Sequence, residues 1–179
     1  MHRQPLLELL RAYQPLDENE SAMRDATTIF VEEHADCFER SLLIGHVTGS
    51  AWIVNPDRTR TVLHRHAKLN RWLQPGGHCD GEPNVMRVAW REAREETGLA
   101  ARIVSAQIFD VDVHPIPARG EEPQHLHYDI RFLLEANDFA RPERSDESHS
   151  VAWIELDDVP AYNASPSILR MVQKSQSCE

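Results

Sequence analysis

Residues 77–99 read GHCDGEPNVMRVAWREAREETGL, a polar glycine-led loop running into a helix. Val85, Val88, Ala89 and Ala93 recur at the spacing that lines one helical face, which predicts an amphipathic helix from Val85 to Thr97. Gly98 suits the position just beyond its last turn, where left-handed backbone closes many helices. Glu92, Glu95 and Glu96 stand at i, i+3 and i+4, so their carboxylates project from one face with Cβ atoms roughly 5–6 Å apart. Like charges so placed repel. The arrangement is useful if a hard divalent cation sits among them, because Mg²⁺ and Mn²⁺ take carboxylate oxygens and bridge substrate phosphates. A solvated acidic face is the plainer account of the same residues. Arg91, four residues before Glu95, is placed to hold that carboxylate. Just upstream, Gly76 and Gly77 follow Pro75 and read as a tight turn where backbone approaches a ligand.

Working outward, residues 46–54 (HVTGSAWIV) and 59–66 (TRTVLHRH) are β-type runs separated by the turn-forming NPDR, which predicts a hairpin. Residues 101–117 and 125–136 read as further strands, and 150–156 as a short one. The first forty residues read helical: Leu6, Leu7, Leu9, Leu10 and Tyr13 form one apolar patch, and Pro15 and Asp17 interrupt before a second run with Met23, Ala26, Phe30 and Val31. Ser165 and Pro166 give a cap and first-turn signature for a closing helix. The expectation is one α/β (α+β) domain over 1–179, with a helical extension at 1–40, a core at 41–160 and a C-terminal helix at 161–179.

The 179 residues are 41% hydrophobic and 27% charged with mean hydropathy −0.52, the profile of a soluble globular chain rather than a disordered or membrane one. The formal charge of −10 argues against an extended basic footprint for duplex nucleic acid. Three cysteines without a CxxC are too few for a disulfide framework or a structural zinc site. No apolar run of about 18 residues and no signal-like leader stand out, so the expected location is the cytoplasm, without membrane association.

Residues 77–99 resemble the Nudix box, Gly-x5-Glu-x7-Arg-Glu-U-x-Glu-Glu-x-Gly-U, where U is a bulky aliphatic residue. The half from Arg91 to Leu99 matches, with a small Ala93 at the first U. Pro83 stands where the pattern has its first Glu, and Asp80 and Glu82 are local candidates to replace that carboxylate. The resemblance to the MutT-like Nudix hydrolases implies an α/β/α sandwich on a mixed β-sheet, and hydrolysis of a diphosphate linked to another moiety, such as a nucleoside diphosphate derivative. It implies Mg²⁺ or Mn²⁺ on Glu92, Glu95 and Glu96, with Glu95 and Arg91 serving catalysis and Arg91 orienting a metal-binding Glu. Gly76 and Gly77 would shape the substrate loop. A general base from a later loop fits the family, and Glu147, six residues before Trp153, is the candidate; a solvated loop residue is an equal reading.

In residues 125–132 (HLHYDIRF) His125, His127, Asp129 and Arg131 alternate with Leu126, Tyr128, Ile130 and Phe132. The polar row reads either as the solvent side of a half-buried strand or as a substrate-facing row, in which His125, His127 and Arg131 contact phosphate or add a metal ligand. His78, directly after the glycines, joins them as a candidate substrate contact. Lys68 and Arg71 are candidate phosphate cations, and Trp52 and Trp72 read as base-stacking or core residues. The expected partner is a small-molecule diphosphate, and the N-terminal helices either pack on the sheet or form a homodimer contact. Two alternatives stay open: an isopentenyl-diphosphate-isomerase-like enzyme using Cys79 with His64, His66 and His78, and a non-catalytic module that binds a nucleotide derivative.

Overall fold

The computed structural model describes residues 2–120, 122–146 and 148–177. Helices α1 (Gln4–Ala12) and α2 (Glu18–Glu33) precede strands β1 (Gly45–Val54), β2 (Arg60–His66), β3 (Trp72–Leu73) and β4 (Gly76–His78). Helix α3 (Val85–Thr97) follows, then β5 (Arg102–Ile103), β6 (Asp110–Ile116), β7 (His125–Glu135) and β8 (Ser148–Glu155). A 3₁₀ turn, the short α4 (Val159–Tyr162) and α5 (Pro166–Ser177) close the chain. No helix among the described residues is long and apolar enough to cross a membrane.

The sheet is mixed. Strand β1 runs parallel to β7 over its whole length, from Gly45 opposite Leu126 to Val54 opposite Glu135. All other pairings are antiparallel: β1 with β2 and β4, β2 with β3 and β8, and β7 with β5 and β6. Every residue of β1 is buried, as expected of a central strand covered on both faces. One face of β1 carries Val47, Gly49, Ala51 and Ile53. A Cβ on Gly49 would lie 2.8 Å from the Val85 carbonyl oxygen, so the missing side chain is what lets α3 lie directly on the strand. Residues of α1, α2 and α3 complete this core with Ile130, Phe132 and Leu134 of β7. On the opposite face, Trp52, Val54 and Leu133 pack against Ile168, Met171 and Val172 of α5.

The helix α3 begins and ends where its signals place it. The Asn84 side chain accepts from the Arg87 N–H, and Gly98 takes the left-handed conformation with φ of 67°. Two expectations change. The 101–117 run is divided, because backbone bonds to β7 stop after Val104 and resume at Phe109, leaving a short loop between β5 and β6. Gly76 and Gly77 form no turn: they are strand β4, opposite Ser50 and Gly49, and the left-handed residues lie beyond them at Asp80 and Gly81. Both faces explain the glycines, since a Cβ on Gly76 would fall on Ser50 and one on Gly77 on Glu92.

Candidate functional site

Helix α3 and strand β4 meet along the box carboxylates. The Cβ that Gly77 lacks would stand 2.6 Å from Glu92 Cδ, so Glu92 is seated on bare backbone. Arg91 Nη2 donates to Glu92 Oε1 at 2.7 Å and to the His78 carbonyl at 3.1 Å, while its Nε lies 3.9 Å from Glu95 Oε2. One guanidinium thus ties the helix to the end of β4. Glu96 is buried and accepts from the Gly76 N–H at 2.8 Å through Oε2. Its Oε1 is 3.5 Å from His64 Nδ1, which also lies 2.6 Å from Ser148 Oγ. Glu95 is the outward member, its side chain 62% exposed. Arg91, Glu92, Glu95, Glu96, Gly76 and Gly77 therefore form one locality, with Glu92 and Glu96 aimed inward.

The second face of β1 continues that locality across the sheet. His46, Thr48 and Ser50 stand in parallel register with His127, Asp129 and Arg131 of β7, and β6 sets His114, Asp112 and Asp110 opposite the same three. The polar row on β7 does not face solvent: His125, Asp129 and Arg131 are buried and His127 is half-buried. Alternation alone left a solvent side and a substrate-facing row both open. The row is buried because its members satisfy one another.

Arg131 donates to Asp129 at 2.8 Å, Asp110 at 3.0 Å and Asp112 at 3.1 Å. Burial works against its charge, but the three carboxylates hold the guanidinium protonated well above its ordinary value. All three of its nitrogens are engaged inside the fold, which places Arg131 in a buried ion network rather than on a phosphate. Asp129 Oδ1 also accepts from Thr48 and Ser50, at 2.9 and 2.8 Å. Above them Arg170 of α5 donates to Asp110 at 2.7 and 2.9 Å, and Lys174 bonds Asp110 and Glu20. Tyr13 also donates to Glu20, so the network fastens the N-terminal helices and α5 to the sheet.

At the open end of the row lie the histidines. The His46 ring is 5.0 Å from that of His78, 4.9 Å from His125 and 4.8 Å from His127, measured between centroids. Burial, then the neighbouring His78 and His125, holds His46 down to about 4. Burial is also the main cause that lowers His78 and, with His46 next, His127. His64 is likewise lowered to about 4 by burial and then by His66.

Other expectations are placed elsewhere. Asp80 pairs with Arg40 at 2.8 Å, and Glu82 turns to Arg87 at 3.4 Å and accepts from the Asn84 N–H at 3.0 Å, so neither is directed toward the box carboxylates. Glu147 lies outside the described residues. Trp52 is core, its Nε1 donating to Ser175 at 2.7 Å, and Trp72 packs edge-on against Tyr162. Cys79 is buried in the main core and burial pushes its thiol far up, which removes the acid/base thiol that isomerase chemistry needs. His46, Thr48, Asp110 and Arg170 escaped sequence reasoning. For His46 and Thr48 the signal was available, because residues 46–51 alternate polar and small or apolar as plainly as 125–132 do.

Residues 46–174 match the family described as NUDIX domain. A curated relative, "Probable DHNTP pyrophosphohydrolase" of Lactococcus lactis subsp. cremoris (strain MG1363), is 32% identical over 91 residues, 50% of this chain and 53% of that protein. The chain thus spans about half the length of this relative. Among solved structures, a C. elegans Ap4A hydrolase binary complex superposes with a TM-score of 0.59 at 18% identity, covering 73% of this chain and 95% of that one. A NUDIX-family hydrolase from Clostridium perfringens gives 0.54 at 19% identity, covering 75% and 98%. At such identities the superpositions speak for the fold, a mixed sheet flanked by helices.

Proposed function

This chain belongs to the NUDIX family, and we propose that it hydrolyses the pyrophosphate bond of a nucleoside diphosphate linked to another moiety, with Mg²⁺ or Mn²⁺ as cofactor. The observation that carries this reading is the seating of Glu92 on Gly77 and of Glu96 on the Gly76 N–H, with Arg91 clamping Glu92 and reaching toward Glu95. The donor set fits a hard divalent ion: three carboxylates from one helix, two of them fixed by neighbours and one free to swing from solvent. When bound, the ion neutralises charge on diphosphate oxygens and acidifies a water.

The chain's own residues then have distinct tasks. Arg91 fixes Glu92 through its 2.7 Å bond and stands 3.9 Å from Glu95 without holding it. The bare backbone of Gly76 and Gly77 leaves room for Ser50 and for the Glu92 carboxylate, which seats Glu92 against β4. Glu95, outward and flexible, positions the attacking water, with Glu147 as the candidate that takes its proton. His78, half-buried directly after the glycines, is placed to hydrogen-bond a substrate oxygen. The name of the L. lactis relative adds dihydroneopterin triphosphate to the compounds to be tried. The absence of a spanning helix among the described residues is consistent with a cytoplasmic enzyme acting on a small molecule, and α1 and α2 offer a surface for a homodimer.

A screen of nucleoside diphosphate derivatives and pterin triphosphate with Mg²⁺ or Mn²⁺, read by phosphate release after phosphatase coupling, tests the proposal. Turnover should appear in the parent and vanish in Glu95→Gln and Glu96→Gln while folding persists. Full activity in those variants, or tight nucleotide binding with no hydrolysis by the parent, overturns it; the second result favours a non-catalytic binding module.

A further inference from the structure

His46 is the least explained side chain in the protein. It is 1% exposed, and among the described residues neither ring nitrogen has a hydrogen-bond partner. A buried imidazole without a partner forfeits the hydrogen bonds that water gave it, which a fold normally avoids. Its surroundings supply more imidazole. One nitrogen from each of His46, His125 and His127 lies within 4.8 Å of the others, and among the described residues this is the one group of three or more potential ligands so close together.

Two details give the trio a direction. His125 Nδ1 lies 2.9 Å from the Pro123 carbonyl, which can only accept, so this nitrogen carries the proton and Nε2 presents its lone pair. A carbonyl on the far nitrogen is how metal-binding histidines are usually oriented. That Nε2 stands 3.3 Å from His127 Nε2. Two ligands at about 2.0–2.1 Å from a tetrahedral Zn²⁺ are separated by about 3.3–3.4 Å, so this pair already spans a tetrahedral edge. His78 lies within 5.3 Å of both His46 and His127 by ring centroids, and the Glu122 carboxylate is 3.8 Å from His125 Nε2. His78 and His127 are half-buried, which gives an ion a way in.

We propose that His46, His125 and His127 form a nitrogen-ligand site for Zn²⁺ or a similar transition-metal ion, separate in donor chemistry from the carboxylates of α3. Imidazole suits such ions and carboxylate oxygen suits Mg²⁺ and Mn²⁺, so the two donor sets discriminate between metals. Three protein nitrogens leave one tetrahedral position, open to His78 or to an oxygen of a bound anion.

The test uses the full chain, stripped with chelator and titrated with ZnCl₂ and, separately, CoCl₂. One equivalent of zinc should be retained through dialysis, the melting temperature should rise with zinc, and Co²⁺ should develop visible absorption of a low-coordinate nitrogen site. His46→Gln and His127→Gln should each weaken zinc affinity at least tenfold, whereas Glu92→Gln and Glu95→Gln should leave it unchanged. If His46→Gln does not fold, the half-buried His127→Gln decides. Substoichiometric zinc in the folded parent, affinity unmoved by His127→Gln, or zinc lost in the Glu variants refutes the site. Because these readouts need no turnover, failure here is distinguishable from failure of the hydrolase reading.

Discussion

Gly77→Ala isolates the geometry on which the hydrolase reading depends. The added methyl would stand 2.6 Å from Glu92 Cδ and 2.8 Å from both carboxylate oxygens, whereas ordinary contact begins at 3.4 Å. Glu92 must therefore retreat by about 0.8 Å, or Gly77 must push β4 away from α3 by the same amount. Retreat is the easier route, because β4 is held to β1 by its pairing with Thr48, Gly49 and Ser50. Arg91, bonded to Glu92 at 2.7 Å, moves with it. A displacement of about 1 Å at a positioned group costs on the order of 10²-fold in rate, equivalent to about 2.7 kcal/mol of transition-state stabilisation. Gly77 has no left-handed backbone to lose, so alanine itself is sterically allowed there, and the lower entropy of the unfolded chain contributes about 0.4–1 kcal/mol in favour of folding. The expected outcome is a 10²-fold fall in kcat/KM on the best substrate, weaker Mn²⁺ binding by paramagnetic resonance, and a melting temperature within a few degrees of the parent. Parent-like turnover and Mn²⁺ affinity in a folded Gly77→Ala protein would refute the claim that Glu92 works from its seat on that glycine.

Arg131→Met leaves Asp112, Asp110 and Asp129 buried without their shared cation and should destabilise the fold by about 3–5 kcal/mol, measured by urea unfolding. Little or no loss would mean that the network is dispensable. Burial raises Asp112, but the His114 hydrogen bond and the Arg131 charge outweigh it and bring the group down from 3.8 to about 2. A carboxylate lowered in the folded state contributes stability that is present above pH 4 and lost as pH falls toward 2, so unfolding titrations should lose about 2 kcal/mol in that window. An Asp112→Asn variant should flatten this slope. Gly98→Ala forces a Cβ into left-handed backbone at φ of 67° and should cost about 1–2 kcal/mol by thermal melting, with the helix otherwise intact.

The elements whose ends are written in local chemistry were legible. Asn84 and Gly98 bracket α3, Asp17 caps α2 by accepting the Glu20 N–H at 2.7 Å, and Pro166 opens α5. The box carboxylates were legible for the same reason, since i, i+3 and i+4 spacing is a property of one helix. What a single segment does not encode is its partner. The Gly-Gly pair read as a turn because glycine signals freedom of backbone, yet here it signals absence of bulk: Ser50 and Glu92 occupy the two positions its side chains would take. That requirement comes from strands and helices distant in sequence, and no local pattern states it.

The polar row on β7 carries the same argument further. Alternation distinguishes two faces of a strand but not what covers them, and the usual inference sends the polar face to water. Here β1 lies in parallel register with β7 and β6 in antiparallel register, so three strands contribute aligned layers: hydroxyls and carboxylates in the middle, arginine and aspartate toward α5, imidazoles at the open end. The first two layers neutralise themselves through hydrogen bonds and ion pairs, which is why they tolerate burial. The imidazole layer does so only in part: His114 bonds Asp112, whereas His46, which reaches the layer eighty-one residues before His127, has no hydrogen-bond partner among the described residues. Within one row, then, Arg131 is bonded by three carboxylates while His46 beside it has no hydrogen-bond partner among the described residues, and that imbalance is what the proposed nitrogen-ligand site accounts for.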